Sequence, residues 1–280
     1  MPRTSADPSR DRPLSRPIPP EAIGALPEGR PLVELGTGMP LARLFRFPHD
    51  FPGWHPISPA MAHDMFTPAR PALTPELMIR AYAAGIFPMS DGAQHDSIFW
   101  VDPQRRGVFP LDRFHVSRSL RRRLRQGGFE IAVNRDFAGV VTACADRDET
   151  WINADIFSTY MALHALGQAH SVEVWMDGAL AGGVFGVTLG AAFFGESMFS
   201  RRTDGSKLAL VHLVERLRMG GFQLFDTQFT TGHLESLGAI EVPRADYRRQ
   251  LQMAISSPAD FFAPERCADQ PSEQRSTQTS

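Results

Sequence analysis

The stretch from Ala192 to Gln228 constrains this chain more than any other. It reads AFFGESMFSRRTDGSKLALVHLVERLRMGGFQLFDTQ. An apolar run through Phe193 and Phe194 is expected to enter a Gly-Glu-Ser turn at Gly195, Glu196 and Ser197. A polar break from Arg201 to Ser206 follows. A helix from Lys207 to Met219 comes next, ended by Gly220 and Gly221. A short strand, Gln223 to Phe229, then carries Asp226 and Gln228 two residues apart, and so on one face. An ionisable group buried without a partner costs several kcal/mol. Asp226 therefore needs either a task at a cleft or a structural partner. It could cap a helix or pair with an arginine.

Before this stretch, Val172, Val174, Leu180, Val184 and Val187 alternate around turns at Asp177-Gly178 and Leu189-Gly190. That pattern predicts an antiparallel meander, and Asp-Gly is a strong hairpin signal. Further upstream, Thr74 and Pro75 open a helix over Glu76 to Ala84, stopped by Gly85. Strands are expected at Ile98–Trp100 and Phe129–Val133. Helices are expected from Ser117, from about Asp136 to Ala145, and from Trp151 to Leu166, with Gly167 ending the last. A final helix follows Pro243, from Arg244 to Met253. The expected organisation is an arm at 1–30, an irregular aromatic and proline-rich segment at 31–73 and a small α+β domain at 74–135. A larger α+β domain at 136–264 and a frayed tail at 265–280 complete it.

Net charge is −2 and the isoelectric point is near 6.5, so no global field draws nucleic acid. Any such contact must be local. The densest positive patch is Arg118, Arg121, Arg122 and Arg125, spread over the outer face of a helix whose Leu120 and Leu124 point inward. Phosphate contact and a solvated helix face both fit, and the lack of interleaved acids favours phosphate. Cys144 and Cys267 are too far apart in sequence to suggest a disulfide framework or a metal knuckle, which points to a reducing compartment. His164 and His170 lack a third ligand and read as structural histidines, so no zinc is expected. No run reaches the roughly 20 apolar residues of a membrane span, and the N-terminus lacks the apolar core of a secretory signal.

Meander, helix, strand, helix is the outline of acetyltransferase-like α+β domains, and an outline alone gives no function. The motifs go further. GIFP (85–88), HVSRSL (115–120), Trp151 after Thr150, AHSVEVW (169–175), FFGESMFSRR (193–202), DTQ (226–228) and HLESLGAIEVPR (233–244) together resemble the leucyl/phenylalanyl-tRNA–protein transferase family. The resemblance runs from about residue 74 to 253. It implies an acetyltransferase-like domain behind a small α+β one. It also implies transfer of leucine, phenylalanine or methionine from aminoacyl-tRNA to the α-amine of proteins that begin with arginine or lysine. The product is an N-degron, made in the cytoplasm without cofactor or metal. By resemblance, Asp226 takes the amine proton, Gln228 orients groups beside it, and Glu196 holds the amine or its basic neighbour. Trp151, Tyr160 and Phe193 match the pocket for the transferred side chain. Arg118, Arg122 and Arg125 match the tRNA-contacting patch.

This chain departs from the family pattern near its N-terminus. Residues 67–73 read TPARPAL where the family has Leu-x-x-Gly-Gly-Asp-Leu, and Met89 and Val101 replace tryptophans. These changes bear on tRNA affinity and amino-acid choice. Two rival functions follow from the sequence. One is an acetyl-CoA-dependent N-acetyltransferase, for which Arg202-Thr203-Asp204-Gly205-Ser206-Lys207 gives half a pyrophosphate loop. The other is a non-catalytic binder of tRNA or of basic N-termini, against which the retained Asp226 and Gln228 argue.

Overall fold

Strand pairing divides the chain between a small sheet and a long one. The computed structural model describes residues 32–33, 73–94 and 97–268. The expected arm at 1–30, most of the 31–73 segment including residues 67–72, and the tail beyond 268 lie outside the described residues.

In the small sheet, β1 (Leu32–Val33), β2 (Phe87–Ser90) and β3 (Ile98–Val101) are arranged with β3 in the middle, parallel to β1 and antiparallel to β2. α1 (Pro75–Ala83) precedes β2. Thr74 caps it by accepting the Leu77 amide, and Pro75 occupies the first turn, where its missing N–H costs nothing. The chain leaves α1 through Gly85 at a φ of 80°, the left-handed position expected of a helix stop.

The long sheet contains β4 (Arg105–Phe109), β5 (Glu130–Val133), β6 (Ala169–Met176), β7 (Ala179–Leu189), β8 (Ala192–Ser200), β9 (Leu224–Gln228) and β10 (Ile240–Pro243). Its spatial order is β10-β4-β9-β8-β7-β6-β5. The helices are α2 (Arg118–Gln126), α3 (Phe137–Ala145), α4 (Ala154–Ala165), α5 (Gly205–Met219), α6 (Gly232–Ser236), α7 (Arg244–Ile255) and α8 (Ala263–Ala268). Neighbouring strands are antiparallel except β8 and β9. A parallel pair needs a crossover, and α5 provides it. The meander appears as expected, with Asp177 at φ 52° and Gly178 at φ 73° in the hairpin turn.

Several features differ from the sequence reading, among them α8, which holds residues 265–268 in a helix where a frayed tail is expected. Gly195, Glu196 and Ser197 lie within β8 and form no turn. β4 and β10 were not anticipated, because RRGVF and IEVP are short and carry charge. β4 and β5 both pair into the long sheet, which puts the larger unit's first strand at Arg105, well before the expected border at 135.

Each face of the long sheet buries its own core. On one side, residues of α1, α3, α4 and α7 cover Phe185, Val187 and Phe194. On the other, residues of α2 and α5, with Ala259 and Phe261, cover Val184, Phe193 and Phe225. Each such aromatic contributes about 1.5–3 kcal/mol by leaving water.

Candidate active site

Two β-bulges build the site. Between β7 and β8 the pairing steps from Phe185–Ser197 to Gly186–Gly195, which leaves Glu196 as the extra residue. Between β4 and β9 it steps from Gly107–Gln228 to Val108–Asp226, which leaves Thr227 extra. An extra residue re-aims side chains and reverses the face that each later residue meets. Phe194 and Phe199, five apart, accordingly reach the same core. The parallel ladder of β8 and β9 ends at Phe194 and Asp226. Just past that end, Gln228 Nε2 donates to Glu196 Oε2 at 2.8 Å, so the two side chains span the point where the strands part.

Gln228 is held in a sparsely populated conformation, with φ at 64°. The Phe229 amide donates to the Thr227 carbonyl at 2.6 Å, the i to i+2 bond of a γ-turn. The positive-φ form of that turn is rare and strained. Gly107 makes room for it: a Cβ there would sit 2.5 Å from the Phe229 carbonyl carbon. The Gln228 amide N–H donates to Asp226 Oδ1 at 2.7 Å.

Asp226 is wholly buried. Arg106 Nε reaches Oδ1 at 2.9 Å and Oδ2 at 3.1 Å, and Arg106 Nη2 reaches Oδ2 at 2.7 Å. The Tyr247 hydroxyl donates to Oδ2 at 2.6 Å. With the Gln228 amide these donors fill the roughly four lone-pair positions of a carboxylate. Of the two structural uses open to Asp226 from sequence, pairing with an arginine is the one observed. The Asp226 carboxylate, to which the resemblance assigns direct proton uptake, has neither exposure nor a vacant lone pair in this arrangement. Arg106 is itself 1% exposed, lies between the rings of Phe87 at 4.5 Å and Tyr247 at 4.6 Å, and donates through Nη1 to the Gly85 carbonyl at 3.0 Å. Burial works against its charge, but Asp226 holds its pKa above the ordinary value.

Glu196 meets a different environment. Tyr82 donates to Oε1 at 2.7 Å, Tyr160 to Oε2 at 2.8 Å, and Gln228 to Oε2. All three donors are neutral, one lone pair on Oε1 is left over, and the residue keeps 8% of its surface. Burial pushes its carboxyl from 4.5 up to about 7, against the pull of the three hydrogen bonds and with help from the Asp226 charge. Burial likewise raises the Tyr82 and Tyr160 hydroxyls well above the ordinary tyrosine value, with the Glu196 charge adding to it, so both remain donors.

The structure thus brings Glu196, Gln228 and Asp226 into one network. It does not bring Trp151, Tyr160 and Phe193 into one pocket. Half-buried Trp151 stands edge-on to Tyr160 with ring centroids 6.3 Å apart, on the face covered by α3 and α4. Phe193 lies on the opposite face, against Phe225 at 5.5 Å and Phe261 at 5.9 Å. Arg118, Arg121, Arg122 and Arg125 are exposed on α2, whereas Arg123 folds back over the Phe129 ring. His164 hydrogen-bonds the Ala169 carbonyl and His170 bonds Asn134. At the start of α5, Lys207 pairs with Asp204, which places a carboxylate where a pyrophosphate loop needs none. Val101 is fully buried in β3 and Met89 packs against the core. No helix among the described residues is long and apolar enough to cross a membrane.

Sequence reasoning missed Tyr82, Arg106 and Tyr247. Only Arg106 left a trace: a charged residue before Gly107-Val108-Phe109 demands a buried acid once that run is known to be a strand.

A mixed α+β protein, with an acid network where two parallel strands part, is the class that fold and site define. Comparison with known proteins gives the family. The profile of leucyl/phenylalanyl-tRNA protein transferase matches residues 108–252, and that of its N-terminal domain matches residues 72–104. A leucyl/phenylalanyl-tRNA–protein transferase of Jannaschia sp. is 70% identical over 203 residues, covering 72% of this chain and 96% of the relative. Its counterpart in Ruegeria pomeroyi is 62% identical over 209 residues, covering 75% of this chain and all of the relative. Among solved structures, a ribosomal-protein-alanine N-acetyltransferase from Brucella melitensis biovar Abortus 2308 matches at a TM-score of 0.26 and 20% identity, over 33% of this chain and 73% of its own, a likeness too slight to build on. The chain belongs to the leucyl/phenylalanyl-tRNA protein transferase family.

Proposed function

We propose that this enzyme moves a leucyl or phenylalanyl group, and methionyl by the same chemistry, from charged tRNA to the α-amine of an acceptor protein. The acceptor begins with arginine or lysine, and the product is a degradation signal. The fold fits an acetyltransferase-like domain that carries both substrates at the split between β8 and β9. The observation that carries the reading is Glu196: a carboxylate with one open lone pair, lifted to about 7, at the end of that ladder.

The ester link to tRNA is already activated, so no ATP enters. The neutral amine attacks the ester carbonyl carbon, and a C–N bond forms. Glu196 Oε1 takes the amine proton as the tetrahedral species appears. It returns that proton to the ribose oxygen as the C–O bond breaks. Much of the acceleration comes from holding amine and ester together. Asp226 keeps its place in the catalytic set through Gln228, without meeting the amine. The aromatic wall offered to the aminoacyl group on the Glu196 face is half-buried Trp151, edge-on to Tyr160. Walls of this kind separate side chains differing by a methylene by only about 1–3 kcal/mol. Exposed Arg118, Arg122 and Arg125 offer tRNA phosphates a landing face. The use of charged tRNA as donor fits a cytoplasmic setting.

The test is transfer of labelled leucine from charged tRNA to peptides beginning with arginine or with alanine, using the natural chain and Glu196→Gln. Label on the arginine peptide alone, lost in the variant, is expected. Binding of charged tRNA without any transfer by the natural chain would overturn the reading.

A further inference from the structure

Arg106 on β4 and Tyr247 on α7 are far apart in sequence, stack on each other and converge on Asp226. Both are almost wholly buried, and their hydrogen bonds go to Asp226 and the Gly85 carbonyl, although the Arg106 and Glu196 charges also attract each other. Burying a guanidinium and a carboxylate is expensive, and an apolar pair of the same volume often serves stability as well or better. The network also supports strain: Asp226 Oδ1 anchors the amide of Gln228, whose positive φ has no glycine to ease it. The side chain of that same residue is one of three donors on Glu196. A chain of contacts therefore runs from Arg106 and Tyr247 through Asp226 and the Gln228 backbone to the Glu196 carboxylate.

We propose that Arg106 and Tyr247 are positioning residues, which fix the Asp226 carboxylate in place so that it holds the γ-turn at Gln228 and aims the Gln228 amide at Glu196. The inference rests on the reading of Glu196 as the group that takes the amine proton. Arg106 supplies charge and a two-pronged fork, which lysine cannot copy. Tyr247 supplies the last donor on Oδ2, and its ring floors Arg106 and lies against Gly85, where a Cβ would come within 3.2 Å of it. Removing only the hydroxyl leaves that packing intact. It also removes a dipole whose positive end faces Asp226. The potential at Glu196 then becomes more negative, and its carboxyl holds its proton to higher pH.

The experiment compares the natural chain, Tyr247→Phe and Arg106→Lys. Tyr247→Phe is expected to lower kcat about tenfold, with KM for charged tRNA and for peptide within about twofold, since a misaimed group costs turnover more than binding. The rise of kcat with pH should move to higher pH, and Arg106→Lys should lose more activity than Tyr247→Phe. In parallel, the carboxyl carbon of Glu196, labelled with carbon-13 and assigned with Glu196→Gln, is titrated in all three proteins. Its midpoint should rise in Tyr247→Phe. A merely structural role would lower the unfolding midpoint and leave both titrations in place. A folded Tyr247→Phe with unchanged kcat and an unmoved Glu196 titration overturns the proposal. If the natural chain transfers nothing, the reading of Glu196 falls. The carbon-13 titration then judges the positioning by itself.

Discussion

Asp226 and Glu196 flank Gln228 and are treated oppositely. Asp226 is given a cation, a hydroxyl and a backbone amide, and no exposure. Glu196 is given neutral donors alone, a vacant lone pair and a sliver of surface. A full positive charge pins a carboxylate as an anion. Neutral hydrogen bonds inside a dry site leave it free to take and release a proton. Where two acids share a site, the environments assign the roles. The acid with the arginine is the fixed part, and the acid without one is the working part.

The harshest way to break this comparison is to remove the cation. Arg106→Met should cost about 3–5 kcal/mol in urea unfolding, because it strands a buried carboxylate. Adding Asp226→Leu should recover most of that stability, and transfer should stay lost. A single variant as stable as the natural chain would mean that the ion pair does not hold Asp226 and that the contrast is wrong. The next largest effect is on chemistry. Glu196→Gln keeps the shape and should lower kcat by about 10²–10⁴, the usual worth of a positioned proton acceptor. Activity at the natural rate would end the assignment.

A third measurement sharpens the contrast through pH. Glu196 titrates at about 7 in the folded protein against 4.5 for the free group. Below 4.5 both states carry the proton and there is no penalty. Between the two values the folded state binds the extra proton, so stability must fall as pH rises, and it levels off above about 7. The drop amounts to at most about 3 kcal/mol. Subtracting the unfolding curves of Glu196→Gln, taken from pH 4 to 8, isolates it. A flat difference would mean that folding does not shift Glu196, and a stability of the natural chain that gains on the variant as pH rises would mean that Glu196 is stabilised as an anion.

Much of the fold was legible because its signals are local. Thr74, Ser117 and Asp136 cap the helices expected to begin at them, the helix expected from Trp151 starts three residues later at Ala154, and Asp177-Gly178 turns the hairpin. The network was half legible. Asp226 declared itself as an acid in an apolar strand, and an arginine partner was among its possible uses. Arg106 lies 120 residues away in a five-residue strand whose place beside β9 depends on long-range pairing. The bulge at Glu196 was read as a turn, because Gly-Glu-Ser has turn composition and nothing local reports an extra residue in a ladder. Phe193 was grouped with Tyr160 by motif alone. Only the alternation of faces along β8 separates them.

The smallest effects are expected far from the network, on α2. There, Arg118, Arg122 and Arg125 stand exposed, and no buried group depends on them. Each replaced by alanine should leave the unfolding midpoint where it is. Each should lower the slope of log affinity for tRNA against log salt by about 0.7–0.9, one phosphate contact apiece. Arg123 is the internal control. It covers the Phe129 ring at 5.3 Å and bonds the Gly127 carbonyl, so its loss should reach stability first and the salt slope least. Charge that serves the fold and charge that serves a partner then separate on one helix, as they do between Asp226 and Glu196. Should the three exposed arginines shift stability and leave the slope alone, α2 is a structural face, and tRNA lands elsewhere.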